Sequence, residues 1–185
     1  MATRASALAS RGIDDLAVAI GGIVTTDAVA GVPAIDTARH VANRLAPALR
    51  DPDLVDIDAL PTDQDCYCQT ILHSDPAGAF SIVALVWLPG QRTPIHDHVS
   101  WCVVGVYRGA EESHLYRLTE DDRALVRTGH MVDSEGTTSY FAPPGDIHEV
   151  ANASDQKVVS IHVYGADVAV LGSSIRRRYD LPVLG

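Results

Sequence analysis

Two histidines one residue apart, His96 and His98, constrain this chain more than any other feature. They lie in Gly90–Gly109, GQRTPIHDHVSWCVVGVYRG, where a proline turn precedes the pair and an apolar run follows it. Successive side chains on an extended strand leave opposite faces, so both imidazoles share one face and can meet a single ion. An isolated His-x-His pair is equally compatible with two exposed strand histidines. A second stretch decides between these readings.

That stretch is Pro143-Pro144-Gly145-Asp146-Ile147-His148-Glu149-Val150-Ala151-Asn152, and it supplies a third ligand, His148. Together the two stretches resemble the paired motifs of the cupin superfamily. Gly90, His96, His98 and Gly109 match the first motif. Pro143, Gly145, His148 and Asn152 match the second, with Gly136 one residue early. Two motifs in the right order carry far more weight than either alone. The resemblance implies a mainly β fold, the double-stranded β-helix or jelly-roll barrel. It makes His96, His98 and His148 the metal ligands.

The departure from the cupin pattern is informative. Cys102 stands where the first motif carries its acidic ligand. Non-haem iron oxygenases commonly use two histidines and a carboxylate. Three neutral histidines leave a divalent ion its full charge and favour an anionic substrate such as a thiolate. With the downstream Ser160-x-His162-x-Tyr164, this pattern resembles the cysteine dioxygenase family of thiol dioxygenases, from roughly Cys66 to Tyr164. That resemblance implies Fe(II) as cofactor and a small-molecule thiol and O2 as partners. The product would be a sulfinic acid, with both oxygen atoms on sulfur. Histidine nitrogens alone would also accept zinc, nickel, copper or manganese.

Composition excludes several alternatives. The chain has 14 basic and 24 acidic residues, a formal charge of −10, which argues against nucleic acid or an acidic membrane as partner. No apolar run reaches bilayer-spanning length, and the start, MATRASALASRG, lacks the continuous hydrophobic segment of a signal peptide. Three cysteines with no paired framework fit a reducing, cytoplasmic setting. At 185 residues, one domain is the simplest expectation: a helical part over 1–60 packed on one face of the sheet, a β-barrel core over 66–165 and a tail over 166–185.

In chain order, Ile13 to Ile20 reads as a short helix broken at Gly21-Gly22. A second helix is capped by Asp36 or Thr37, with Ala38, Val41, Ala42, Leu45 and Leu49 at helical spacing. His40 within it reads as a surface or packing residue. From Cys66 the pattern changes to short strands between turns: Cys66–His73, Phe80–Leu88, Trp101–Tyr107, Glu112–Leu118, Ala124–Gly129, Ser139–Phe141, His148–Ala151 and Val158–Tyr164. The tail, with Arg176-Arg177-Arg178, is expected to return over the barrel mouth.

Ser160, His162 and Tyr164 alternate along one strand and share a face, with Val159, Ile161 and Val163 on the other. The strand could hold its polar side in water. Beside a three-histidine site, the row reads instead as an interior hydrogen-bonded chain, and the resemblance makes Tyr164 an acid or hydrogen-bond donor near the metal. Cys102 has two readings, a small buried apolar residue or a thioether partner of Tyr164, as the resemblance implies. One residue fewer separates His98 from Cys102 than in the animal cysteine dioxygenases.

Substrate choice rests on Tyr67-Cys68-Gln69. Animal-type relatives carry arginine where Gln69 stands, whereas many bacterial relatives carry glutamine and resemble 3-mercaptopropionate dioxygenases. A neutral amide gives up arginine's bidentate charge-assisted contact, so the carboxylate must find another cation. The tail arginines, with Arg177 at their centre, are the candidates. Trp101 leans the substrate toward 3-mercaptopropionate and Cys102 toward L-cysteine. His73, His114 and His130 read as surface or barrel-wall residues. The competing functions are a cupin dioxygenase for another thiol, a cupin isomerase, and a non-catalytic metal-binding sensor.

Overall fold

The computed structural model describes residues 10–184, so most of the alanine- and serine-rich start lies outside the described residues. Helix α1 spans Arg11–Ala30 and α2 spans Ala34–Ala48. The expected break at Gly21-Gly22 does not occur. Two interior glycines cost a helix roughly 1 kcal/mol each, but the apolar stripe Ile13, Leu16, Ala17 and Ile20 is buried and anchors the helix on the sheet. The helix stops instead at Gly31, whose φ of 67° is left-handed. The N-cap of α2 is Pro33 rather than Asp36 or Thr37. Asp36 sits in the first turn and bonds Arg39 at 3.1 Å. His40 bonds Asp27 of α1 at 2.8 Å, a packing role.

The strands are β1 (Cys68–Ser74), β2 (Ser81–Trp87), β3 (His96–His98), β4 (Cys102–Arg108), β5 (Ala110–Leu118), β6 (Leu125–Ser134), β7 (Thr138–Phe141), β8 (His148–Ala151) and β9 (Val158–Tyr164). A short helix α3 (Val168–Leu171) follows, then β10 (Ile175–Arg178) and β11 (Val183–Leu184). One sheet has the order β1-β2-β9-β4-β7 and the other β10-β3-β8-β5-β6-β11. Two facing sheets joined in this order, with helices packed outside, form the cupin double-stranded β-helix.

Helices cover the outer face of the five-stranded sheet. Ile82, Ala84, Val86, Val103, Val159, Ile161 and Val163 pack there against α1 and α2. The inner face carries Val83, Leu85, Trp87, Cys102, Val104 and Tyr164, which face Val150 of the second sheet. This explains why β2 and β9 are buried at every position. It also inverts the usual half-buried strand: the apolar side of β9 lies under the helices, and its polar side points into the barrel. At Gly105 of β4 an added Cβ would lie 2.8 Å from Leu45 and 2.9 Å from Leu49, so α2 can approach the sheet only because no side chain is there.

The tail contributes more than a cover. Strand β10 pairs with β3, Ile175 opposite His98 and Arg178 opposite His96. Asp97, turned away from the barrel interior, accepts from Arg176 and Tyr179 and so ties the tail to β3. Burial would raise the Asp97 carboxyl, but these partners outweigh it and hold it below its ordinary value.

Candidate active site

Alternation on β3 sends His96 and His98 inward, and register places His148 of β8 directly opposite His96. The three rings form a near-equilateral triangle, with centroids 4.8 Å (His96–His98), 4.7 Å (His96–His148) and 5.0 Å (His98–His148) apart. Their ligand atoms all lie within 4.8 Å of one another and all three residues are buried. His96 Nδ1 bonds the Pro94 carbonyl at 2.9 Å, and His98 Nδ1 bonds Asp146 at 3.0 Å. The Nε2 atoms of both are thereby left bare for ligation. His148 Nδ1 is buried with no hydrogen-bond partner.

Burial pushes His96 down to about 4, with the neighbouring His98 adding to the effect. Burial and the other histidines likewise hold His148 well below its ordinary value. Neutral, convergent imidazoles and an orphaned ring nitrogen fit a divalent metal ion. Asn152 of the second motif is structural: its buried amide donates to the Trp87 carbonyl at 3.2 Å and the Gln156 carbonyl at 2.7 Å.

Opposite the triad stands the polar face of β9. Tyr164 Oη lies 3.0 Å from His162 Nδ1, and His162 Nε2 lies 2.9 Å from Ser160 Oγ. The Trp87 indole N–H also donates to Ser160, at 3.2 Å. The Tyr164 ring centroid is 6.0 Å from that of His98. Burial drives His162 down to about 3, so it is neutral, and pushes the Tyr164 hydroxyl well above its ordinary value. Cys102 and Tyr164 are register partners on β4 and β9. Burial keeps the Cys102 thiol protonated.

The space between these groups is about 30 Å³ and is lined by the triad, the row's His162 and Tyr164, Tyr67, Gln69 and tail residues Ser173 to Ile175. A wider vestibule of about 480 Å³ shares Tyr67, Gln69 and Ser173 and adds Arg92 and Arg178.

The sequence model of the cysteine dioxygenase type I family matches residues 59–171, more than half of the 185-residue chain. The chain belongs to that family. Solved structures align with it as well. The TT1209 protein of Thermus thermophilus is 19% identical over 60% of this chain and 94% of its own (TM-score 0.45). A cupin 2 conserved barrel domain protein of Salinispora arenicola is 21% identical over 64% and 89% (TM-score 0.44). The Schizosaccharomyces pombe Cnp3 cupin domain is 10% identical over 64% and 72% (TM-score 0.47).

In this cysteine dioxygenase family member, the three histidines, Cys102, His162, Tyr164, Tyr67 and Gln69 line one cavity, with Ser160 behind them. Tyr67 stacks on Trp87 with centroids 4.5 Å apart. Arg177 is not brought there. Its guanidinium lies over the Tyr179 ring at 4.4 Å and bonds the Tyr179 hydroxyl. A register shift between Ile175 and Arg177 turns it away, and the tail arginine at the vestibule is Arg178.

Sequence reasoning missed two buried acids. Asp146 orients His98, and its place two residues before His148 on the same motif was the available signal. Glu111 lies on the inner face of β5, 2% exposed, while its neighbour Glu112 faces out; an adjacent pair of acids on a strand must send one inward. His114 and His130 are register partners that share Glu112, at 3.2 and 2.6 Å, on the outer sheet face. His73 stacks on Phe80. Among the described residues, no helix is long and apolar enough to cross a membrane.

Proposed function

We propose that this chain is an iron(II) thiol dioxygenase that converts a small mercapto-carboxylate, RSH, and O2 into the sulfinic acid RSO2H. The observation that carries the reading is the pairing, across one cavity, of three neutral histidines and a Tyr164–His162–Ser160 row. Bound iron(II) would supply the redox chemistry that lets dioxygen react with a thiolate sulfur. His96, His98 and His148 would hold the ion, and their neutrality favours an anionic ligand beside them. Tyr164, protonated and backed by His162, offers a hydrogen bond to sulfur or to the developing sulfinate oxygens. The walls, with Trp87, Leu85 and Val150, exclude water from the reacting atoms.

Substrate preference follows from charge. Among the described residues lining the inner cavity there is no carboxylate to receive a substrate ammonium. This supports 3-mercaptopropionate over L-cysteine. Gln69 and Tyr67 would meet its carboxylate at the mouth, with Arg178 as the cation beyond. The opposition of Cys102 and Tyr164 supports a thioether between them, which intact mass would reveal as a loss of two hydrogens. All three cysteines are free, which supports a reducing compartment such as the cytoplasm.

The deciding experiment is oxygen uptake by the iron(II)-loaded protein with 3-mercaptopropionate, L-cysteine and cysteamine, with sulfinate quantified. Uptake matched by sulfinate, greatest with 3-mercaptopropionate, is expected. A preference for cysteamine would overturn the carboxylate argument. No uptake with any thiol, despite bound iron, would overturn the enzymatic reading in favour of a metal-binding sensor.

A further inference from the structure

We propose that Glu111 is the fourth member of the interior row and the store for the proton that a thiol gives up when it enters the cavity as a thiolate. The idea rests on the thiol-binding reading above. Its physical basis is the arrangement of donors and acceptors behind Tyr164.

Glu111 approaches Ser160 and Trp87 from the opposite sheet, 2% exposed; Ser160 Oγ here bonds Trp87 and His162, and the Glu111 Oε1 is buried without a hydrogen-bond partner, an open acceptor beside the end of the row. The groups around it are Ser160 and Tyr164 of β9, Trp87 of β2, Cys102 of β4, and Asp133, its register partner on β6. None is a cation, and Asp133 carries like charge. Burial, reinforced by Asp133 and partly offset by Ser160 and Trp87, pushes the Glu111 carboxyl up to about 7.

Each hydroxyl has one proton to give and a neutral imidazole has one. The row therefore has two consistent orderings. With Glu111 ionised, Ser160 donates to Glu111, His162 Nε2–H donates to Ser160, and Tyr164 donates to His162 Nδ1. With Glu111 protonated, every bond reverses: Glu111 donates to Ser160, Ser160 to His162 Nε2, and His162 Nδ1–H to the Tyr164 oxygen. The Tyr164 hydroxyl proton is then free to point at Ser174 and the cavity, and Ser174 lies within its reach.

Thiol entry connects the two orderings with full proton balance. The S–H bond breaks and its proton goes to the Tyr164 oxygen. The original Tyr164 proton passes to His162 Nδ1, the Nε2 proton passes to Ser160, and the Ser160 proton passes to Glu111. The thiolate remains in the cavity, and the row has reversed. His162 is never doubly protonated in either end state, consistent with its depressed basicity. When the product leaves as the sulfinate RSO2−, the same steps run backward, the proton passes from Tyr164 to solvent, and Glu111 is ionised again. Glu111 touches neither substrate nor metal; it is a positioning and proton-holding residue that acts through the row.

The test is calorimetric titration of the iron-loaded chain with 3-mercaptopropionate under anaerobic conditions, in buffers of different ionisation enthalpy. The dependence on buffer gives the protons released per thiol bound and requires no turnover. At pH 8, where the free thiol is protonated and Glu111 is ionised, wild type should release close to no proton. At pH 6, with Glu111 already protonated, it should release close to one. Glu111→Gln, whose amide can donate to Ser160 but cannot accept a proton, should release close to one at both. Ser160→Ala, which cuts the row before Glu111, should do the same and serves if the first variant does not fold. Equal release by wild type at both pH values, or by wild type and the variants at pH 8, would overturn the proposal while leaving thiol binding intact. Absence of any binding heat with a thiol would overturn the thiol dioxygenase reading itself, and this inference with it.

Discussion

Asp146 offers a way to separate metal affinity from fold stability. One of its oxygens accepts both the backbone N–H and Nδ1–H of His98, each at 3.0 Å, and the side chain is 1% exposed. The other oxygen, Oδ1, is buried with no partner. Asp146→Asn preserves the shape: the amide oxygen can take both bonds, and the amide nitrogen falls where the orphaned oxygen was. What disappears is the negative charge that makes His98 a stronger donor and locks its tautomer. Carboxylates in this position change metal affinity by about 10–100-fold, or ~1.4–2.7 kcal/mol. The metal-free fold should change much less, because the substitution also removes a buried charge. Competition for iron(II) or zinc against a chromophoric chelator measures the first quantity, and thermal unfolding of the metal-free chain measures the second. Affinity within about threefold of wild type, where tenfold is ~1.4 kcal/mol, would refute the claim that Asp146 tunes His98.

Other expectations concern packing, substrate and pH. Gly105→Ala forces α2 off β4 and should destabilise the fold by about 1–3 kcal/mol, read as a lower urea midpoint; an unchanged midpoint would contradict the close approach. Arg178→Ala should raise KM for a mercapto-carboxylate by about three- to tenfold, a range discounted for its solvent exposure, with kcat nearly unchanged. Arg177→Ala should leave KM alone and lower the melting temperature, and the reverse pattern would restore Arg177 to the substrate. For the metal-free chain, His96, His148 and His162 are neutral when folded, with His96 down at about 4 and His162 at about 3. Unfolded, they bind protons from about pH 6.5 downward, so stability should fall as pH drops from there toward 4. Glu111, raised to about 7, opposes one of the three over part of this range. A urea midpoint that rose on acidification would be inconsistent with this balance.

The metal triad and the row were legible in the sequence because alternation on a strand is a strong geometric rule and three short motifs obey it. The apolar side of β9 was legible for the same reason, and the helical front expected on one face of the sheet is what covers it. What escaped depended on register between distant strands. Nothing local announces that Ile175 to Arg178 will pair with β3, or that a register shift there turns Arg177 outward and leaves Arg178 at the vestibule. Glycine propensity misled at Gly21-Gly22, where tertiary burial of Ile20 and its neighbours outweighs a local cost. Glu111 was hidden because a charged residue on a strand is ordinarily assigned to solvent.

The metal triad belongs wholly to the six-stranded sheet, and Tyr164, His162 and Ser160 belong wholly to the five-stranded one. Each set is held by its own strand register, and what lies between them is a contact of packed side chains. A slight slide of one sheet over the other would change the reach from Tyr164 to the triad and from Ser160 to Glu111, while leaving the hydrogen bonds within each sheet intact. Gly105 and Leu45 meet on the outer face of the five-stranded sheet, so substitutions there act first on that sheet. The barrel thus resembles a vice whose two jaws carry different groups, and the packing of α2 on the outside of one jaw bears on the gap between them.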